Sequence, residues 1–267
     1  MKPRRQSIID AVAFESPFAT EFRRLLQKVE QAGYGTELKS LMVTSAMLSE
    51  GKSTVCSFLG ITAAMHKGIK TLIIDCDLRR PSIHKLFAMD RRLGMCEILS
   101  EGYAPADAIR KTNIDKLDLL LAGAHHDEPT RLFDAEAIST VVESLKMSYD
   151  LIVVDTAPVL PVSDPMLLAS KLDAAVLVVK AGSTQRDVVL RALDILGPSR
   201  NRLLGIVMNN MNSSLPYQYD YRYYGYEYKQ PKARPPQVRG KKRGDAGPDS
   251  RGPSQARMVS NRHGGRR

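Results

Sequence analysis

The sequence predicts an α/β fold, a mostly parallel doubly wound sheet followed by a disordered C-terminal tail. Three observations carry that expectation. Short runs of Val, Ile and Leu recur between residues 41 and 209 without polar alternation, as strands covered on both faces require. Segments with helical apolar spacing lie between them, and strand–helix alternation argues for parallel crossovers. After residue 228 the chain turns rich in Pro, Gly, Arg and Lys with almost nothing to bury, so it cannot offset its ordering entropy.

Residues 1–36 read as an N-terminal segment carrying one helix. Ser16 suits an N-cap and Pro17 the first helical position. Phe18, Phe22, Leu25, Leu26 and Val29 fall on one stripe, and Gly33 fits the end, which predicts a helix over 17–31. Glu21, Arg24 and Lys28 lie off the stripe. Residues 37–212 form the main domain. Strands are expected at 41–45, 71–75, 117–121, 151–155, 175–180 and 204–209. Helices are expected at 52–66, 97–100, 106–111, 130–146, 164–171 and 184–196. Residues 213–228 hold a tyrosine cluster, and residues 229–267 are the basic tail.

The chain has 267 residues, 43% apolar and 25% charged, enough for one sizeable core with a tail or for two small domains. No apolar run approaches bilayer length, and no hydrophobic stretch follows the basic start, so neither a membrane span nor a signal peptide is expected. Three cysteines, Cys56, Cys76 and Cys96, are an odd number without metal spacing, which fits a reduced, cytoplasmic protein. The net charge of +10 belongs to the tail: residues 229–267 hold 12 basic and 2 acidic residues, whereas residues 1–228 hold 27 of each. A neutral body argues against nucleic-acid binding, which needs concentrated cationic surface.

The sharpest local feature runs from Ala46 through Ser49, Glu50, Gly51, Lys52 and Ser53 to Thr54. It follows an expected strand and opens an expected helix, the context of a phosphate-binding loop. Backbone N–H groups and the helix N-terminus favour phosphate oxygens; Lys52 would reach the β/γ-phosphates and the Ser53 hydroxyl would bind Mg²⁺. Asp75 and Asp77 end a second apolar strand and Asp155 a third, where ligands of open α/β sheets gather. A single such Asp is usually a turn or cap residue. Three beside a phosphate loop point to Mg²⁺ binding or to taking a proton from a hydroxyl. Arg79 follows two residues after Asp77 and would hold the two carboxylates in place. Cys76, buried between them, reads as inert packing. His125 and His126 stand beside Asp127 and Glu128 in one loop, a poor metal set.

These motifs, with Pro158, Pro161 and Asp164 beyond Asp155 and seven of the ten tyrosines in residues 217–228, resemble the bacterial tyrosine kinases of capsule and exopolysaccharide systems. The likeness is to the cytoplasmic CapB/CpsD type, equivalent to the kinase domain of Wzc-like proteins, and runs from about residue 16 to 228. It implies a P-loop NTPase with Walker A, A′ and B motifs that uses ATP and Mg²⁺. Lys52 and Ser53 would hold phosphates and metal. Asp75 and Asp77 would serve the metal and activate the tyrosine hydroxyl, and Asp155 would support the metal through water. Asn209 would lie on the adenine side. Tyr217, Tyr219, Tyr221, Tyr223, Tyr224, Tyr226 and Tyr228 would be the phosphoacceptors. Glu21 and Arg24 match the start of a helix motif used for ring assembly. The implied partners are other copies of the chain in a ring, a membrane-spanning polysaccharide co-polymerase that activates the kinase at the inner face of the plasma membrane, and a protein-tyrosine phosphatase. The basic tail is expected to touch anionic lipid.

Two positions depart from the family pattern. Leu48 and Ser49 stand where Pro-Gly is common, and a Ser at positive φ is strained by about 1–2 kcal/mol. Gln27 replaces the second Arg of the ring motif. Two other readings compete. A ParA/MinD-like ATPase would share the sheet and loop, but carries a lysine where this chain has Met47, and leaves the tyrosines unexplained. A non-catalytic nucleotide-dependent switch would rest on the Leu48-Ser49 departure alone. For the tyrosines themselves, an edge strand is one alternative, since Tyr217, Tyr219, Tyr221 and Tyr223 share a face, and an aromatic RNA-binding tail is another.

Overall fold

The computed structural model describes residues 8, 17–32, 38–126, 128–197 and 202–210. In chain order the elements are α1 (Pro17–Ala32), β1 (Ser40–Ser45), α2 (Lys52–Thr62), β2 (Thr71–Asp75), α3 (Ile83–Leu86), α4 (Met95–Glu101), α5 (Pro105–Ala108), β3 (Ile109–Lys111), β4 (Leu117–Leu120), α6 (Pro129–Leu132), α7 (Ala135–Leu145), β5 (Leu151–Asp155), α8 (Asp164–Ala169), β6 (Ala174–Lys180), α9 (Arg186–Leu196) and β7 (Leu203–Asn209). The tyrosine cluster, and the basic tail with its expected disorder, lie outside the described residues.

The seven strands form one sheet in the order β3-β4-β2-β5-β1-β6-β7. Only β3 runs antiparallel to its neighbour. From β1 the chain moves to one side, through β2 and β4, then returns through β5 and crosses to β6 and β7. The crevice at the carboxyl ends of β1 and β5 is therefore the topological switch point where ligands of such sheets bind.

The five inner strands, β4, β2, β5, β1 and β6, read largely apolar because each is covered on both faces. Leu41 and Val43 of β1 join Leu26, Val29, Leu59 and Ile61 on the α1/α2 face. Met42, between them, joins Ile74, Val154, Val142, Leu168 and Leu193 on the other face. The same alternation sets Ile73 against Leu72 and Ile74.

The α1 stripe buries Leu26 and Val29, while Phe18 stays 46% exposed. Phe18 nonetheless meets the Phe58 ring edge-on at 4.5 Å, so α1 is fastened to α2 through aromatic rings.

Three expectations about elements are corrected. The helix over 106–111 ends at Ala108, and Ile109–Lys111 pairs antiparallel with β4. The Lys111–Asp118 ion pair at 2.7 Å accompanies that pairing. The helix over 130–146 is two helices, because Asp134 caps the second, accepting from the N–H groups of Glu136 and Ala137. The helix over 52–66 keeps its start at Lys52 but widens into a π-helical turn, Ala63–Lys67, which Gly68 closes at φ +68°. The short α3 had no counterpart in the sequence reading.

Candidate active site

The loop from Ala46 to Gly51 leaves β1 and feeds directly into α2. Two residues take left-handed backbone: Ser49 at φ +62° and Gly51 at φ +90°. The strain expected at Ser49 is thus built into the loop. Gly51 is glycine for a second reason. A Cβ there would sit 2.0 Å from Asn209 Nδ2. Gly51 supplies no side-chain cap to α2, so the first N–H groups of that helix point out as an anion site.

Glu50 shapes the loop from beneath. Its carboxylate is buried and accepts from the Met47 N–H at 2.6 Å, the Lys180 N–H at 3.3 Å and the Thr184 hydroxyl. Its carbonyl accepts from Asn209 Nδ2 at 2.8 Å. The Glu50 side chain therefore faces the end of β6, and Asn209 of β7 lies against the loop backbone. Sequence reasoning missed Thr184 and Lys180; no local pattern marks them, since they act through chain folding alone.

The carboxylates converge because the sheet register requires it. Asp75 and Asp155 are direct partners across β2 and β5, and Asp155 stands opposite Val43 of β1. Asp75 is held by backbone: its Oδ1 accepts from the Asp77 N–H, and its Oδ2 from the N–H groups of Ser82 and Ile83 at 3.2 and 3.1 Å. This explains α3, whose first turn starts on the Asp75 carboxylate. Asp77 accepts from the Arg80 N–H at 3.0 Å.

Lys52 closes the group. Its Nζ lies 2.7 Å from Asp77 Oδ2, 3.5 Å from Asp155 Oδ1 and 3.2 Å from Ser53 Oγ. Burial alone would lower the Lys52 ammonium, but Asp155, Asp77 and Asp75 outweigh it and raise it above its ordinary value. Burial, then the neighbouring Asp155 charge, pushes the Asp75 carboxyl up to about 8, and burial raises Asp155 to about 6 despite Lys52. The thiols of Cys56 and Cys76 are buried and pushed well up by burial and by Asp75 and Asp155, which makes them inert as nucleophiles.

Arg79 does not hold Asp75 or Asp77. Its guanidinium forks onto Asp164, with Nε to Oδ2 at 3.0 Å and Nη2 to Oδ1 at 3.3 Å. A carboxylate with three backbone donors has no need of the arginine. The fork instead ties the loop after β2 to α8. Glu21 and Arg24 pair with each other at 2.6 Å on the exposed side of α1.

The site suits a nucleotide with Mg²⁺. Asp155 Oδ2 is buried without a hydrogen-bond partner among the described residues, while Oδ1 of the same carboxylate lies 3.5 Å from Lys52 Nζ. Among those residues no group of three or more His, Cys, Asp and Glu converges as a protein metal cage. Mg²⁺ needs none, since it binds through one or two carboxylates, waters and the phosphates themselves. Ser53 and Asp155 are the residues that would hold it, with Asp75 and Asp77 beside them.

The family described as "ParA: NUBPL iron-transfer P-loop NTPase" matches residues 38–232. The tyrosine-protein kinase YwqD of Bacillus subtilis (strain 168) is 30% identical over 221 residues, 83% of this chain and 92% of the relative. Tyrosine-protein kinase CpsD of Streptococcus agalactiae is 34% identical over 192 residues, 72% of this chain and 83% of the relative. Among solved structures, the kinase domain of Escherichia coli tyrosine kinase ETK superposes with a TM-score of 0.73 at 26% identity, covering 83% of this chain and 87% of that one.

Proposed function

Since the chain belongs to the bacterial tyrosine-protein kinases of the CapB/CpsD type, within the ParA-like P-loop NTPases, we propose that it phosphorylates its own residues Tyr217, Tyr219, Tyr221, Tyr223, Tyr224, Tyr226 and Tyr228 with ATP. One observation supports this above others: the Lys52 ammonium sits 2.7 Å from Asp77 and 3.5 Å from Asp155, at the mouth of the phosphate loop. Phosphate-binding and proton-accepting groups thus share one point.

The residues divide the work. The N–H groups of the loop and α2 bind phosphate oxygens, and Lys52 offsets charge on the β- and γ-phosphates. Ser53 and Asp155 would hold Mg²⁺, which would supply positive charge to offset the negative charge that develops during transfer. Asp75 or Asp77 accepts the proton of the tyrosine hydroxyl as its oxygen bonds to the γ-phosphorus. The bond from that phosphorus to the β–γ bridging oxygen breaks, and ADP leaves. Asp75 is fixed for this by three backbone donors. Asn209 would meet the adenine side while holding Glu50.

The wider reading is also a proposal. Glu21 and Arg24, exposed on α1, suit assembly into a ring in which one chain phosphorylates its neighbour's cluster. The setting would be capsule or exopolysaccharide synthesis, beneath a membrane-spanning co-polymerase that activates the kinase, with a tyrosine phosphatase to reset it. Among the described residues no helix is long and apolar enough to cross a membrane. Attachment at the inner membrane face would come through that co-polymerase, helped by tail contact with anionic lipid. The test is phosphotyrosine mass spectrometry on the purified chain with Mg-ATP, beside Lys52→Met. Phosphate on residues 217–228, absent in Lys52→Met, is expected. ATP hydrolysis without phosphotyrosine would instead assign a ParA/MinD-like ATPase, and equal labelling of Lys52→Met would overturn the site.

A further inference from the structure

β7 is an edge strand of the described sheet, yet its outward side chains are apolar. Leu204, Ile206 and Met208 are 36%, 45% and 54% exposed, while Val207 between them packs into the α1/α2 core. Edge strands usually blunt such surface with charge, proline or a cover, because open peptide groups beside an apolar face recruit another strand. Here no charged residue interrupts 203–208.

We propose that the open edge of β7 is the docking surface for the chain's own residues 217–223, added as an antiparallel strand. The period matches: Tyr217, Tyr219, Tyr221 and Tyr223 share one face, and Gln218, Asp220 and Arg222 share the other. The tyrosine face then continues the row of Leu204, Ile206 and Met208, where aromatic and aliphatic side chains pair well across strands. The connection suffices. Asn210 takes φ +61°, a left-handed turn directly after the strand, and six residues separate it from Tyr217, an ordinary length for a chain reversal. A segment leaving the end of β7 and folding back arrives antiparallel. The segment carries one acidic and one basic residue and so brings no net charge to the neutral strand. Docking itself is independent of phosphorylation. Its regulatory meaning, four tyrosines withheld from the active site, rests on the kinase reading above.

Amide hydrogen exchange without nucleotide tests this apart from kinase activity. The full chain is compared with a full-length variant carrying Ser at positions 217, 219, 221 and 223, each at two protein concentrations. The β7 amides are expected to exchange about tenfold more slowly in the unaltered chain, alike at both concentrations. Ile206→Ser should speed exchange in 217–223 while leaving β6 protected, which keeps misfolding out of the result. Equal β7 exchange in both chains would overturn the proposal. Slowing that grows with concentration would overturn it too, by assigning the edge to a second copy.

Discussion

Ser49 carries a left-handed backbone at φ +62°, which costs a side-chain-bearing residue free energy that glycine does not pay. Ser49→Gly should therefore stabilise the fold by about 1 kcal/mol in urea denaturation. A neutral or destabilising result would mean that the loop is unstrained there. Gly51 is the opposite case. Gly51→Ala sets a Cβ against Asn209 Nδ2 at a position of φ +90° and should cost roughly 2 kcal/mol or more, with loss of nucleotide binding. Adding Asn209→Ala removes the clashing atom, so the double variant should regain part of the stability. Strict additivity in that cycle would show that the two residues do not touch. The sequence made Lys52, Asp75, Asp77 and Asp155 legible because Lys52 opens a helix, Asp75 and Asp155 end strands, and Asp77 follows Asp75 by two residues. It hid Glu50's role and Arg79's partner, because Thr184 and Asp164 are brought close only by the crossovers of β6 and β5.

At the scale of elements, the five inner strands were readable because both faces are buried, so a run of apolar residues is itself the signal; β7 was readable because its exposed face is apolar too. β3 was not. Its three residues are half-buried or exposed and owe their conformation to β4, partners that no local pattern names. Asp173, just ahead of β6, illustrates how elements are fastened at their starts. It accepts from the N–H groups of Lys39 and Ser40 at 3.0 and 2.8 Å and from Lys146 Nζ at 2.8 Å, joining β1, β6 and the end of α7. Burial alone would raise this carboxyl, but the hydrogen bonds from Lys146, Ser40 and Lys39 outweigh it and hold it below its ordinary 3.8. A depressed carboxyl contributes stability above 3.8 that is lost as pH falls through the lower folded value. Asp173→Asn should thus cost about 1–2 kcal/mol at neutral pH. The gap between variant and parent should narrow in denaturation curves taken below 3.8. A gap independent of pH would mean that shape, not charge, matters at this position.

At the scale of the whole molecule, the chain joins a neutral body to a tail of +10. Transfer between copies is expected. A Lys52→Met chain that keeps its tyrosines, mixed with an active chain carrying Phe at all seven cluster positions, should become labelled by Mg-ATP. Its remaining unlabelled over a range of concentrations would rule out transfer in trans. Each phosphotyrosine adds about −1.5 to −2 charges, so full modification of seven would roughly cancel or exceed the tail. Co-sedimentation with phosphatidylserine vesicles should accordingly fall after autophosphorylation, and should fall in ~0.5 M salt, where screening shortens to about 4 Å. Equal binding before and after modification would exclude this electrostatic coupling.

Asp75 and Asp155 face each other because β2 and β5 are aligned residue for residue. A slip of one residue would send a carboxylate to the opposite side of the sheet, and a slip of two would carry it about 6–7 Å along the strand, beyond Lys52. Catalysis is thereby a readout of alignment. Circular dichroism counts strands whether or not they are in step, whereas phosphate transfer counts only those that are. During refolding, recovered activity should trail recovered sheet content by the fraction of molecules still out of register. The enzyme carries, in its own chemistry, an assay for the correctness of its fold.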